Sequence, residues 1–139
     1  MRFVSSDKQK RVELSLSQMY KFCLDVQEAK RTFGGRDNFV LNRVYQNAVL
    51  YSLEQIGESA SRIDLWLIRE MPEIPWKNVI GFRVNAAHRY HHMDFASAWI
   101  TIENDIPDLI RALENIGPVV VSEDEIIQSP NRSKQSSEQ

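Results

Sequence analysis

Apolar residues recur along this chain at helical spacing. Leu16, Met19, Cys23 and Val26 form one stripe that runs toward Phe33. Steps of three and four place such residues on a single helix face. Ser15 or Ser17 is positioned to cap this helix, because a serine oxygen accepts from the free N–H groups of a first turn. Gly34-Gly35 is positioned to end it. A second stripe, Tyr45, Val49, Leu53, Ile56, Ala60, Ile63 and Leu67, advances in steps of 4, 4, 3, 4, 3 and 4. It predicts one core-facing helix of roughly 25 residues. Its small residues Gly57 and Ala60 suit close packing. Pro72 and Pro75 terminate it, since proline disfavours helical geometry in the residue before it. Pro75 can also open a third helix from Trp76 to about Ala87, where its missing N–H is not needed. Asp94 reads as the N-cap of a fourth helix with the stripe Phe95, Trp99, Ile102, Ile106, Leu109, Leu113 and Ile116. Pro107 lies within that stripe and is expected to bend it. Gly117-Pro118 closes it. No strand pattern exists beyond Val119–Val121, and there is no internal repeat.

These elements predict an all-α, antiparallel four- to five-helix bundle. The long second stripe exceeds what a small bundle can cover, so homodimerisation through helices is expected. At 139 residues the chain fits one domain, assigned to 1–117, followed by a tail over 118–139. From Gln128 onward only Ser129, Pro130 and polar or charged residues follow, so disorder is expected there.

Composition narrows the classes. Hydrophobic residues make up 42% and charged residues 26%, which suits a globular domain. Cys23 is the single cysteine, so no internal disulfide can form, and a reducing cytoplasmic setting is expected. The longest apolar runs, Ala48–Tyr51 and Leu65–Ile68, are far short of the ~18 residues of a membrane helix. The net charge of −2 argues against coating nucleic acid by bulk charge. Locally the balance reverses. From Ile74 to Met93 there is no Asp or Glu, while Lys77, Arg83 and Arg89 stand there with all three histidines.

That segment also concentrates the reactive side chains, as Arg83-Val84-Asn85-Ala86-Ala87-His88-Arg89-Tyr90-His91-His92. A permanently charged guanidinium, an imidazole and a phenol are the parts needed to hold a phosphate and move a proton. On one continuous helix Arg83 and Tyr90 share a face, whereas Arg83 and His88 point about 140° apart. Either the helix ends near His88 or a second subunit completes the site. Each residue also has a plainer role open to it. Arg83 could pair with a surface carboxylate, His88 could pack beside two alanines, and Tyr90 could be a core aromatic with its hydroxyl at the surface. A metal site from His88, His91 and His92 lacks further ligands beyond Asp94, so none is assigned. No phosphate-cradling glycine loop, nucleophile elbow or paired-cysteine motif is present. Cys23 sits on an apolar stripe and reads as packing.

Two longer stretches carry a resemblance. Asn47-Ala48-Val49-Leu50-Tyr51-Ser52-Leu53-Glu54-Gln55-Ile56-Gly57-Glu58-Ser59-Ala60 and Met71-Pro72-Glu73-Ile74-Pro75-Trp76-Lys77-Asn78-Val79-Ile80-Gly81-Phe82-Arg83 resemble the HEPN toxins of the HepT type. So does the stretch from Trp99 to Leu113 with Asn104-Asp105-Ile106-Pro107. The family motif, Arg, four residues, His, one residue, Tyr, corresponds to Arg83, His88 and Tyr90. The resemblance spans roughly Asn38 to Ile116. It implies a helical domain that dimerises with two motifs facing a shared cleft. It further implies a ribonuclease toxin needing no metal or other cofactor, paired with a nucleotidyltransferase antitoxin that transfers AMP onto Tyr90. Arg83 and His88 would then be catalytic, with Lys77, Asn85, Arg89, His91 and His92 holding or supporting RNA. The family usually has a polar residue directly after the motif arginine. Here Val84 stands there and Asn85 follows, so an inactive subunit that partners the nucleotidyltransferase is the alternative.

Overall fold

The computed structural model describes residues 6–82 and 94–116. Within them, helix α1 (Ser6–Phe33) is followed by α2 (Arg36–Leu41), α3 (Arg43–Ser61) and α4 (Leu65–Glu70). Next comes α5, helical over 76–82, and then α6 (Phe95–Ile100), a π-helical turn (Thr101–Asp105) and α7 (Ile106–Asn115). The fold is an all-α bundle, with no strand among the described residues.

Side-chain pairs give the directions. Phe22 meets Tyr51 and Lys8 meets Asp64, so α1 and α3 run antiparallel. Tyr20 bonds Glu114 at 2.8 Å and Lys30 bonds Glu103, so α1 and the π–α7 segment are antiparallel too. The core along α1 is Val12, Leu16, Met19, Cys23 and Val26, which extends the anticipated stripe one step toward the N-terminus. Val49, Leu53, Ile56 and Ala60 face it from α3, and Ile106, Leu109 and Leu113 from α7.

Four elements depart from the sequence-based expectations. Helix α1 begins at Ser6, so Ser15 and Ser17 are buried inside it and cap nothing. The single long second helix is two helices. Ser61 Oγ donates to the Glu58 carbonyl at 2.7 Å, a local bond that competes with helix continuation. Arg62 N–H and Ile63 N–H then bond Ser59 and Ala60 in a tightened last turn, and Asp64 is extended (ψ 143°). Ile63 and Leu67 stay buried across this break, so the stripe alone cannot reveal it.

The third departure is α2, whose Phe39 is fully buried. Gln46 Nε2 donates to the Phe39 and Val40 carbonyls at 2.8 and 3.1 Å, satisfying acceptors at the end of that short helix. Asn42 Oδ1 accepts from Tyr45 N–H at 3.0 Å and caps α3. The fourth is at Pro107. The wider π turn lies just before it, and Ile106 N–H reaches Thr101 five residues back. Pro107 has no N–H to return to Glu103, so the chain accommodates it with an extra residue in the turn. That residue rotates the upstream face. Ala98 is fully buried, while Trp99, the anticipated core residue, is partly buried.

The stop after α1 is as anticipated. Gly34 has φ +108°, and its N–H bonds the Lys30 carbonyl at 2.9 Å. A Cβ there would collide with Asn38 Nδ2, which itself donates to the Phe33 carbonyl at 2.8 Å. Gly34→Ala is therefore expected to cost about 1–3 kcal/mol, read as a lower urea midpoint at unchanged slope. An unchanged midpoint would contradict this account of the turn.

Candidate functional site

Of the residues expected to form a site, Arg83, Asn85, His88, Arg89, Tyr90, His91 and His92 lie outside the described residues. The C-terminal 118–139 segment does as well. Lys77 is described, and both structured edges of the motif are fixed.

The upstream edge is α5. Val79 N–H bonds the Pro75 carbonyl at 3.1 Å, so Pro75 opens the helix as expected. Trp76, Val79 and Phe82 are buried at successive three-residue steps. The Trp76 indole N–H donates to the Met71 carbonyl at 2.8 Å, which satisfies its polar atom inside the core. Lys77 stands on the opposite, exposed face. Arg83 thus follows immediately after a buried anchor, Phe82.

The downstream edge is the start of α6. Asp94 accepts from Ser97 N–H at 3.2 Å and from Ser97 Oγ at 2.7 Å, the anticipated N-cap. Phe95 packs edge-on to Phe39, with ring centroids 5.9 Å apart. Phe39 also touches Trp99 at 5.8 Å and Tyr45 at 5.0 Å. Lys30 sits over the Trp99 ring at 5.6 Å and pairs with Glu103. The Tyr45 hydroxyl donates to the Gly34 carbonyl at 2.8 Å, and burial, with Glu103 adding to it, raises its pKa. Tyr20, hydrogen-bonded to Glu114, has its pKa raised first by that bond and then by burial. These phenols serve the packing. Burial likewise pushes the Cys23 thiol well above its ordinary range, so it remains protonated and unreactive.

Among the described residues no group of three or more His, Cys, Asp or Glu could hold a metal ion, and no helix is long and apolar enough to cross a membrane. One feature was not singled out from the sequence. A cavity of about 250 Å³ lies between the N-terminal half of α1 and the α3–α4 junction, lined by Lys8, Arg11, Val12, Leu14, Ser15, Gln18, Arg62 and Asp64. The signal for it was legible: Lys8, Arg11, Ser15 and Gln18 recur at steps of 3, 4 and 3, a polar stripe beside the apolar one.

An antiparallel helical bundle carrying an Arg-x4-His-x-Tyr segment between its α5 and α6 helices defines a helical protein of the HEPN class. Residues 10–116 match the family described as "Ribonuclease HepT-like", and the chain belongs to that family of ribonucleases. It is 34% identical over 80 residues to "Probable ribonuclease HepT" of Thermococcus cleftensis, covering 58% of this chain and 73% of that protein. It is 32% identical over 89 residues to a "Putative RNase" of Methanocaldococcus jannaschii, covering 64% and 74% of the two chains. No solved structure matches the chain significantly.

Proposed function

We propose that this protein is the toxin of a HEPN–nucleotidyltransferase pair, an endoribonuclease that cuts RNA without a metal. The observation that carries the reading is the Arg83-x4-His88-x-Tyr90 spacing inside a chain that matches the HepT-like ribonucleases over 10–116.

RNA carries its own nucleophile. His88 removes the proton from a 2′-hydroxyl, whose oxygen attacks the adjacent phosphorus. The bond to the 5′-oxygen breaks, a 2′,3′-cyclic phosphate remains, and the departing oxygen takes a proton. Arg83 stabilises the charge that develops on the non-bridging oxygens. Lys77, Arg89, His91 and His92 hold flanking phosphates, and Asn85 supports them. Two copies of the motif face one cleft in a homodimer. The exposed apolar residues Leu41, Val44 and Tyr51 on α2 and α3 support a pairing surface. The protein works in the cytoplasm as one domain, 1–117, with 118–139 as a tail.

Transfer of AMP to Tyr90 by the partner nucleotidyltransferase would place a bulky anion where the RNA phosphate binds, and block it by charge and occupancy. Incubation with that partner and ATP is expected to add the mass of AMP to the wild type and not to Tyr90→Phe. An unchanged mass gain in the variant would refute Tyr90 as the acceptor. Val84 favours a second reading, a catalytically inactive HEPN subunit that binds the nucleotidyltransferase. Expressing wild type and His88→Ala in a bacterial host without a partner separates the two, scored by growth and RNA integrity. Growth arrest with RNA breakage in the wild type alone supports the nuclease. Intact RNA in both supports the binding subunit.

A further inference from the structure

We propose that the cavity between α1 and the α3–α4 junction is a phosphate-binding site, built from residues other than Arg83, His88 and Tyr90. The proposal does not depend on RNA cleavage.

The cavity also lies far from Asp94, the N-cap of α6. Lys8 and Arg62 lie at the end of the bundle where α1 begins and α3 ends. Asp94, the first described residue after the motif, starts α6 at the opposite end, beside α2 and the last turn of α1. Helix α1 is 28 residues long, so its two ends are about 40 Å apart.

The lining has the chemistry of an anion site. Lys8, Arg11 and Arg62 contribute three cations against one carboxylate, Asp64, which Lys8 engages at 3.0 Å. No carboxylate among the described residues engages the guanidinium of Arg11 or Arg62. Arginine forks match the geometry of phosphate oxygens. The net excess of two positive charges balances a phosphate monoester, which carries roughly −1.5 to −2 at neutral pH. Val12 and Leu14 form apolar walls, which strengthen the field inside.

The second observation is a polar group without a partner. Ser15 is only 7% exposed and lines this cavity, yet its hydroxyl makes no hydrogen bond among the described residues. A buried hydroxyl normally has a partner, and a phosphate oxygen in the cavity supplies one. Gln18 accepts from Ser59 Oγ at 3.5 Å through its carbonyl, which leaves its amide N–H groups to donate into the same space. A cavity of about 250 Å³ is larger than one phosphate needs and smaller than usual drug-sized pockets of ~300 Å³ and above. It suits the phosphate end of a nucleotide.

The test titrates the full chain at low salt with inorganic phosphate, with AMP and with a short 2′-O-methyl oligoribonucleotide that cannot be cut by its own hydroxyl. Binding is followed by calorimetry and by amide chemical shifts on α1. Arg11→Gln and Arg62→Gln are each expected to weaken binding about tenfold or more, because each removes a charged hydrogen-bond donor. Arg36→Gln, on the exposed start of α2 at the other end, is expected to leave it unchanged. All three positions are exposed, and circular dichroism checks that the fold is kept. Loss for phosphate and AMP identifies a small-anion site. Loss for the oligonucleotide alone identifies a contact to the RNA backbone. Absence of binding by all three probes, unchanged binding in both cavity variants, or an equal loss in Arg36→Gln would overturn the proposal.

Discussion

His88→Ala is expected to lower RNA cleavage by about 10²–10⁴-fold, the usual contribution of a positioned general acid or base. The expectation follows from the division of labour proposed for the two motif residues. Arginine stays charged and holds the phosphate, but it cannot exchange a proton near neutrality. The imidazole is then the group in the motif suited to take the 2′-hydroxyl proton. Alanine removes it without adding bulk. The measurement is the single-turnover rate on a labelled RNA, with the thermal midpoint taken from the same preparations. Cleavage at the wild-type rate by a folded His88→Ala chain would remove His88 from the chemistry. RNA breakage that persists in the variant but vanishes on further purification would point to a contaminant instead.

Phe39→Ala is expected to be the largest single loss of stability, about 3–5 kcal/mol. The ring is fully buried and packs against Tyr45, Phe95 and Trp99, which belong to α3 and α6. Alanine leaves a cavity among rigid rings that cannot collapse to fill it. For a domain of this length, each kcal/mol shifts the midpoint by roughly 2–8 °C, so a fall of about 6 °C or more is expected. Leu65→Ala, at 62% exposure on α4, should stay within about 0.5 kcal/mol. Thermal and urea unfolding of both variants checks the pair. Equal, small effects would mean that α2 is not part of the cooperative core.

That contrast shows where reading the sequence succeeds and where it stops. Helix α2 has six residues, too few to persist alone in water. It carries no stripe long enough to register as periodic. It exists because Phe39 finds a ring-lined site built by residues up to sixty positions away in the chain, and because Gln46 satisfies its last carbonyls. Neither partner is visible from the segment itself. Helices α3 and α4 show the converse limit. Their apolar spacing continues unbroken from Tyr45 to Leu67, yet the backbone turns at Arg62–Asp64. Periodicity reports which face is buried and is silent on whether the helix between buried residues is continuous. Helix α1 starts well before Ser15 and Ser17 for a related reason: the serines that mark caps in exposed chain are equally at home inside a helix when neighbours cover them.

By itself the amino-acid sequence determined the helical class, the faces that meet in the core, the stop at Gly34, the Asp94 cap, the start at Pro75 and, through its match over residues 10–116, membership of the HepT-like ribonucleases. Those features are local, set by spacing and by the chemistry of one or two neighbouring residues. Tertiary structure alone decided the α2 helix, the break after α3, the π turn before Pro107 and the cationic cavity of Lys8, Arg11 and Arg62. The α2 helix and the meeting of Arg62 with Lys8 and Arg11 depend on residues distant in the chain, whereas the break and the π turn have local triggers at Ser61 and Pro107 whose outcome apolar spacing does not reveal.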